Sequence, residues 1–154
     1  MNVLSSVRSA AAIFTLFASA SGAIAADYKF GHYFPTEDFR GVTATKFAEN
    51  AKAASANFNI VVYPSESLVK GRDALQATSR GTVDFYSVFA GYLTGSVGLM
   101  KVFTIPFPEE QYDDARMMAF ANDPGVISLL DKALEKSNVK LLGFVNSSGQ
   151  TPMF

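Results

Sequence analysis

The sequence predicts an α/β fold, a mostly parallel sheet flanked by helices. Two observations carry this. From residue 28 onward, β-branched or alternating runs and amphipathic stretches follow one another as strand, helix, strand, helix, strand, the order of a parallel sheet with helical crossovers. The composition, 49% apolar and 18% charged in 154 residues, belongs to a chain that buries a core rather than a disordered one.

The elements are justified in chain order. Residues 1–25 are expected to be a cleavable leader. MNVLSSVR carries one arginine, AAAIFTLFA is a short apolar run, and Ala23-Ile24-Ala25 gives the small-x-small pattern before a cleavage site. The apolar run is far shorter than the roughly 20 residues that span a bilayer. The fold then starts near Ala26. Tyr28–Tyr33 alternates bulky with small or polar groups and reads as a strand ended by Phe34-Pro35. Thr36-Glu37-Asp38 offers cap-type residues and negative charge to a helix start. A helix is predicted from Phe39 to Ala54, with Phe39, Val42, Phe47 and Ala51 on its inner face. Phe58–Tyr63 is a strand closed by Pro64.

A helix from about Gly71 to Arg80 is stopped by Gly81. Val83–Phe89 is the third strand. GYLTGSVGLM fits either a short helix or a glycine-rich loop. Two helices follow, near Glu110–Ala121 and Pro124–Lys136, with Asp123 capping the second and Pro124 in its first turn. Lys140–Val145 is the last strand, expected to lie apart from the first three. No internal repeat or low-complexity tract interrupts the chain.

Charge and residue inventory exclude several function classes. Without Arg8, the 13 basic residues become 12 against 14 acidic, and no basic patch offers a nucleic-acid footprint. There is no cysteine and one histidine, His32, which leaves no His/Cys metal cluster and no Cys–His pair. No serine sits in a GxSxG elbow. Glu109-Glu110 and Asp113-Asp114 read as a helix start with its favourable dipole, not as a catalytic carboxylate pair. Gly91, Gly95 and Gly98 lack the GK[ST] ending of a phosphate loop. No cofactor and no metal are expected.

Aromatic content is what stands out, 14 Phe and 6 Tyr without Trp. Tyr33, Phe34, Phe89, Phe103 and Phe107 fall where strands or proline-punctuated loops end. In open α/β sheets, ligands sit beyond the carboxyl ends of the strands. Each ring alone is compatible with core packing, and as a group they suggest a cleft with aromatic walls.

The stretch YPSESLVKGRDALQATSRGTVDF resembles the extracytoplasmic solute-binding proteins of TRAP transporters, the DctP family. The matching anchors are Pro64, Leu68, Arg72, Leu75, Gly81 and Asp84, with Val69 where glycine is common. YKFGH, KFAENAKAAS, Ile105-Pro106-Phe107 and KLLGF before an NxxxQ turn follow in the family's order, so the likeness covers essentially the whole chain after the leader.

What the resemblance implies is a periplasmic-binding-protein-like lobe at 26–138 and the start of a second, incomplete lobe at 139–154. The chain's ending, SSGQTPMF, then looks like a break inside a longer protein. The implied function is that of a periplasmic solute-binding subunit that captures a small organic acid between lobes and delivers it to membrane permease subunits. The expected ligand-binding residues are His32, Tyr33, Phe34, Tyr86 and Phe89, facing Asn146, Gly149 and Gln150. The family's carboxylate-pairing arginine falls beyond Phe154. Gly149 stands where a second arginine often lies, and Phe89 where a polar contact is common. A more apolar or aromatic acid is therefore expected. Two alternatives remain, a hydrolase using the cleft and a binding-incompetent fragment. Oligomeric state and ligand identity stay open.

Overall fold

Three β-strands anchor the structure because their residues match a pleated, half-buried surface. The computed structural model describes residues 26–105, 113–145 and 151–153. β1 (Ala26–His32) pairs in parallel with β2 (Phe58–Tyr63) on one side and β3 (Phe85–Ser87) on the other. Tyr28 sits opposite Ile60, and Phe30 opposite both Val62 and Phe85. β4 (Gly143–Val145) and β5 (Thr151–Met153) complete a five-stranded sheet in the order β2-β1-β3-β5-β4, with β5 antiparallel to both neighbours.

The strand near 140–145 therefore does not lie apart as expected from the sequence. β5 bridges it to β3 through the Ser87–Met153 and Gly143–Met153 pairings. Val139, Leu141 and Phe144 also enter the same core as Val83, Tyr86 and Val88. Burial of these side chains, each about 1.5–3 kcal/mol, holds the strand to the lobe.

α1 (Phe39–Ala54) has the predicted bounds. Asp38, in extended backbone, accepts the Arg40 backbone N–H at 2.9 Å and so satisfies one of the free donors at the helix start. Its buried face differs from the expected one. Phe39 and Val42 are 56% and 42% exposed, while Gly41 and Ala44 are buried, with Phe47, Ala48 and Ala51 packed on the sheet beside them. Small residues win these positions because the helix lies close to the strand ends. A methyl on Gly41 would sit 2.4 Å from the Pro35 carbonyl oxygen.

On this face, Phe30, Ala44 and Ile60 form a compact cluster with Phe47 and Phe85, their rings meeting edge-on or tilted at 5.7–6.2 Å. The larger core covers the other face. It joins α2 (Ala74–Ser79), α4 (Pro124–Leu134) and the buried residues of two 3-10 segments, Ala90–Leu93 and Gly98–Thr104. The predicted helix at 71–80 is a 3-10 turn, Gly71–Asp73, running into α2.

GYLTGSVGLM is neither one helix nor an open loop: it spans one 3-10 segment and enters the next. α3 (Asp114–Ala121) is capped by Asp113, four residues later than expected, and residues 106–112 lie outside the described residues. α4 starts as predicted: Asp123 accepts from Gly125 and Val126, and Pro124 opens the first turn. It ends at Leu134, where a 3-10 turn takes over and Asn138 adopts the left-handed conformation. No helix among the described residues is long and apolar enough to cross a membrane.

Candidate functional site

β1 and β3 end side by side, with His32 opposite Ser87. Three connecting segments meet beyond that edge. The first, leaving β1, carries Tyr33 and Phe34. The second, leaving β3, carries Phe89 and the 3-10 turn containing Tyr92. The third follows β2 and is tied back to β1, since the Ser65 and Glu66 N–H groups donate to the Phe34 and His32 carbonyls, both at 3.0 Å. Ser65 and Glu66 adopt φ of 53° and 58°, a left-handed region costing about 1–2 kcal/mol for a residue with a Cβ. The Glu66 carboxylate accepts the Gly71 N–H at 2.7 Å and lies 3.5 Å from Lys70 Nζ.

Together these segments build an aromatic wall. Tyr33 packs on Phe34 with centroids 4.0 Å apart, Tyr92 meets Tyr33 edge-on at 5.7 Å, and Phe89 meets Tyr92 edge-on at 6.3 Å. Tyr33 and Phe89 are half-buried and Tyr92 is 38% exposed, so part of each ring faces outward. Two guanidinium groups flank the wall. Arg40 lies 4.0 Å over the Phe34 ring, and Arg72 5.4 Å over the Tyr92 ring.

The two arginines differ in charge balance. Arg40 is held by Asp38 through Nε–Oδ1 at 2.7 Å and Nη2–Oδ2 at 2.6 Å, a bidentate geometry. These hydrogen bonds hold the Asp38 carboxyl down at about 2 and push Arg40 up. Arg72 is exposed and makes no ion pair among the described residues. Burial pushes the Tyr33 phenol up, with Arg40 pulling the other way.

The residues singled out from the sequence occupy three kinds of place. Tyr33 and Phe89 stand on the wall itself. His32, Phe34 and Tyr86 form its backing, each exposed by 1% or less. His32 is sealed under the start of α1, near Gly41. Its Nδ1 has no hydrogen-bond partner among the described residues. Burial lowers its pKa, with the Phe34 backbone and the Asp38 charge opposing. The Tyr86 hydroxyl donates to the Val69 carbonyl at 2.7 Å, and burial raises its pKa. Asn146, Gly149 and Gln150 lie outside the described residues. Sequence reasoning missed Tyr92, Arg40 and Arg72 as parts of the wall. Among the described residues no cluster of three potential metal ligands occurs.

A family model described as bacterial extracellular solute-binding protein, family 7, matches residues 30–153. No curated protein sequence matches the chain. Among solved structures, the chain resembles a TRAP periplasmic solute-binding protein of Pseudomonas aeruginosa with bound L-malate, at 20% identity and TM-score 0.69, covering 79% of this chain and 42% of that one. An extracytoplasmic solute receptor of Bordetella pertussis that binds pyroglutamic acid gives 22% identity and TM-score 0.65, covering 76% and 38%. A receptor of Xanthobacter autotrophicus with bound β-D-galacturonate gives 19% and 0.67, covering 78% and 40%. The chain thus spans about 40% of the length of these structures.

Proposed function

The chain belongs to the bacterial extracellular solute-binding proteins of family 7, and from that premise we propose that it forms one wall of a periplasmic receptor for a small organic acid. The receptor serves a TRAP-type secondary transporter and hands its ligand to membrane permease subunits. The carrying observation is the wall beyond β1 and β3, where partly exposed Tyr33, Phe89 and Tyr92 stand between two guanidinium groups. Apolar surface with a few convergent polar groups is what a small-ligand site requires, and the charge offered there is positive. Three receptors of similar structure bind pyroglutamic acid, L-malate and β-D-galacturonate, all acids.

This reading assigns binding rather than catalysis, because the wall presents rings and arginines while the one histidine is sealed behind it. Tyr33 and Phe89 contact the ligand, and Asn146, Gly149 and Gln150 are assigned to the same ligand; His32, Phe34 and Tyr86 shape the wall from behind. Residues 1–25 act as the export signal, and residues 139–154 lead into the second lobe. The test is calorimetric titration of the protein as its gene encodes it against L-malate, pyroglutamate, D-galacturonate and phenylacetate, each beside its neutral amide. Preference for at least one acid over its amide supports the reading. Failure to bind any acid, or turnover of one during titration, overturns it.

A further inference from the structure

The rings of the wall converge on Tyr92, and the cation over Tyr92 makes no ion pair among the described residues. We infer that Arg72 is this lobe's contact for the ligand carboxylate, and that the acid it anchors has a flat apolar body lying along Tyr33, Phe89 and Tyr92. This rests on the solute-binding reading above and adds to it a specificity-determining residue and a ligand class.

Three observations carry it. The other guanidinium over the wall, Arg40, is already matched by two short hydrogen bonds to Asp38, and the nearby Lys70 lies 3.5 Å from Glu66. Asp73, next in sequence to Arg72, makes no ion pair with it. A carboxylate arriving at Arg72 therefore displaces no partner among the described residues.

The position of Arg72 is also fixed from behind. Its neighbour Gly71 donates its N–H to Glu66, and the Gly71 backbone lies so close to Tyr92 that an added Cβ would meet the ring at 3.0 Å. The residue therefore starts from a braced backbone, which lowers the ordering cost on binding. A guanidinium that rests on a ring face keeps its in-plane N–H groups for a carboxylate, and its fork matches the two oxygens.

The occupied ring faces decide the sign of the ligand. Aromatic walls also recognise cations, but that mode needs an open ring face. Here Phe34 lies under Arg40 and Tyr92 under Arg72. A cationic ligand would meet the like charge of Arg72, whereas an anion meets a guanidinium with no ion-pair partner among the described residues. The rings left over, with Tyr33 and Phe89 partly exposed on either side of Tyr92, favour a planar body over a polyhydroxylated one.

The experiment uses the protein as its gene encodes it, with phenylacetate and phenylacetamide as probes and L-malate as the non-planar acid. The expected result is binding of phenylacetate about tenfold or more tighter than phenylacetamide, a gap of the size of one charge-assisted contact. Arg72→Met should bring the two to within about twofold, with the acid losing most of the difference, while leaving the unfolding midpoint unchanged. Arg72→Gln should do the same should the methionine variant fold poorly. Undiminished preference for the acid in both variants overturns the inference and leaves the solute-binding reading standing. So does a protein that binds L-malate but not phenylacetate. A protein that binds no acid overturns both.

Discussion

Replacing Asp38 tests how the start of α1 is built. Its carboxylate performs two tasks: Oδ1 accepts the Arg40 backbone N–H at 2.9 Å as the helix cap, and both oxygens clasp the Arg40 side chain. Asp38→Ala removes both. Loss of the cap costs about 0.5–2 kcal/mol. Loss of the ion pair, whose side chains are each 22% exposed, costs about 0.2–1 kcal/mol. Asp38→Asn keeps an acceptor for the cap and loses the charge, so it should show only the smaller part.

The assay is urea unfolding followed by far-UV circular dichroism at pH 7, with slopes compared to exclude a changed denatured state. The pH dependence supplies a second reading. Asp38 titrates at about 2 in the fold against an ordinary 3.8, so its stabilisation is present above about 4 and lost as pH falls towards 2. Asp38→Asn should flatten that part of the profile. Equal losses for the two variants, or an unchanged acid limb in Asp38→Asn, would refute the division between cap and charge.

Tyr86→Phe keeps the ring and strands the Val69 carbonyl that the hydroxyl meets at 2.7 Å; a loss of about 1–3 kcal/mol is expected, and an unchanged urea midpoint contradicts it. His32, the one histidine of the chain, should titrate below 6.5 because it is buried. Fewer protons bound in the fold means stability falls as pH drops below that value. Its imidazole Hε1 resonance reports this directly, and a midpoint at or above 6.5 contradicts the burial. Gly41→Ala should destabilise by about 1–3 kcal/mol through overpacking despite alanine's better helix propensity, because the new methyl meets the Pro35 and Thr36 carbonyls at 2.4 and 3.1 Å. A rise in melting temperature would show that α1 can retreat. Ser65→Gly relieves a φ of 53° and should be neutral or stabilising by up to about 1 kcal/mol; a clear loss would point to an unrecognised role for the serine.

What was legible in the sequence had local causes. Asp38 and Asp123 mark their helix starts because a cap is made within three residues of the capping side chain, and α1 has the bounds its periodicity gave. The inner face of α1 was misread because apolarity was taken as the guide where closeness of approach decides, and Gly41 and Ala44 are inside for their size. β5 carried no signal at all. It is three residues long with proline in the middle, a composition that argues against a strand interior, and it exists through pairing with partners over 60 positions earlier as well as nearby. Tyr33, Phe34 and Phe89 were picked out by their place after strand ends, and Tyr92, in the 3-10 turn that follows Phe89, was not. Arg40 and Arg72 were not, since a lone arginine in a helix start or polar turn reads as a solvated side chain until the fold brings Phe34 and Tyr92 beneath it.

The wall and the helix that backs it are one mechanical chain. Phe34 lies under Arg40, Arg40 is clasped by Asp38, Asp38 caps α1, and the small residues of α1 close over His32 and Phe30. On the other side, the Phe34 and His32 carbonyls are gripped by Ser65 and Glu66, whose left-handed turn feeds Gly71 under Tyr92. Phe34 and Tyr92 are thus each held by groups from another strand's outgoing segment. Stiffness of this kind reduces what binding must spend on ordering side chains. It also explains why left-handed backbone is tolerated at two adjacent residues: their N–H groups complete hydrogen bonds that no regular extension of β2 supplies. A substitution that frees Asp38 should therefore loosen Phe34 and Tyr33 before it loosens the sheet, whose Phe30–Phe47–Phe85 cluster is held independently by its own packing.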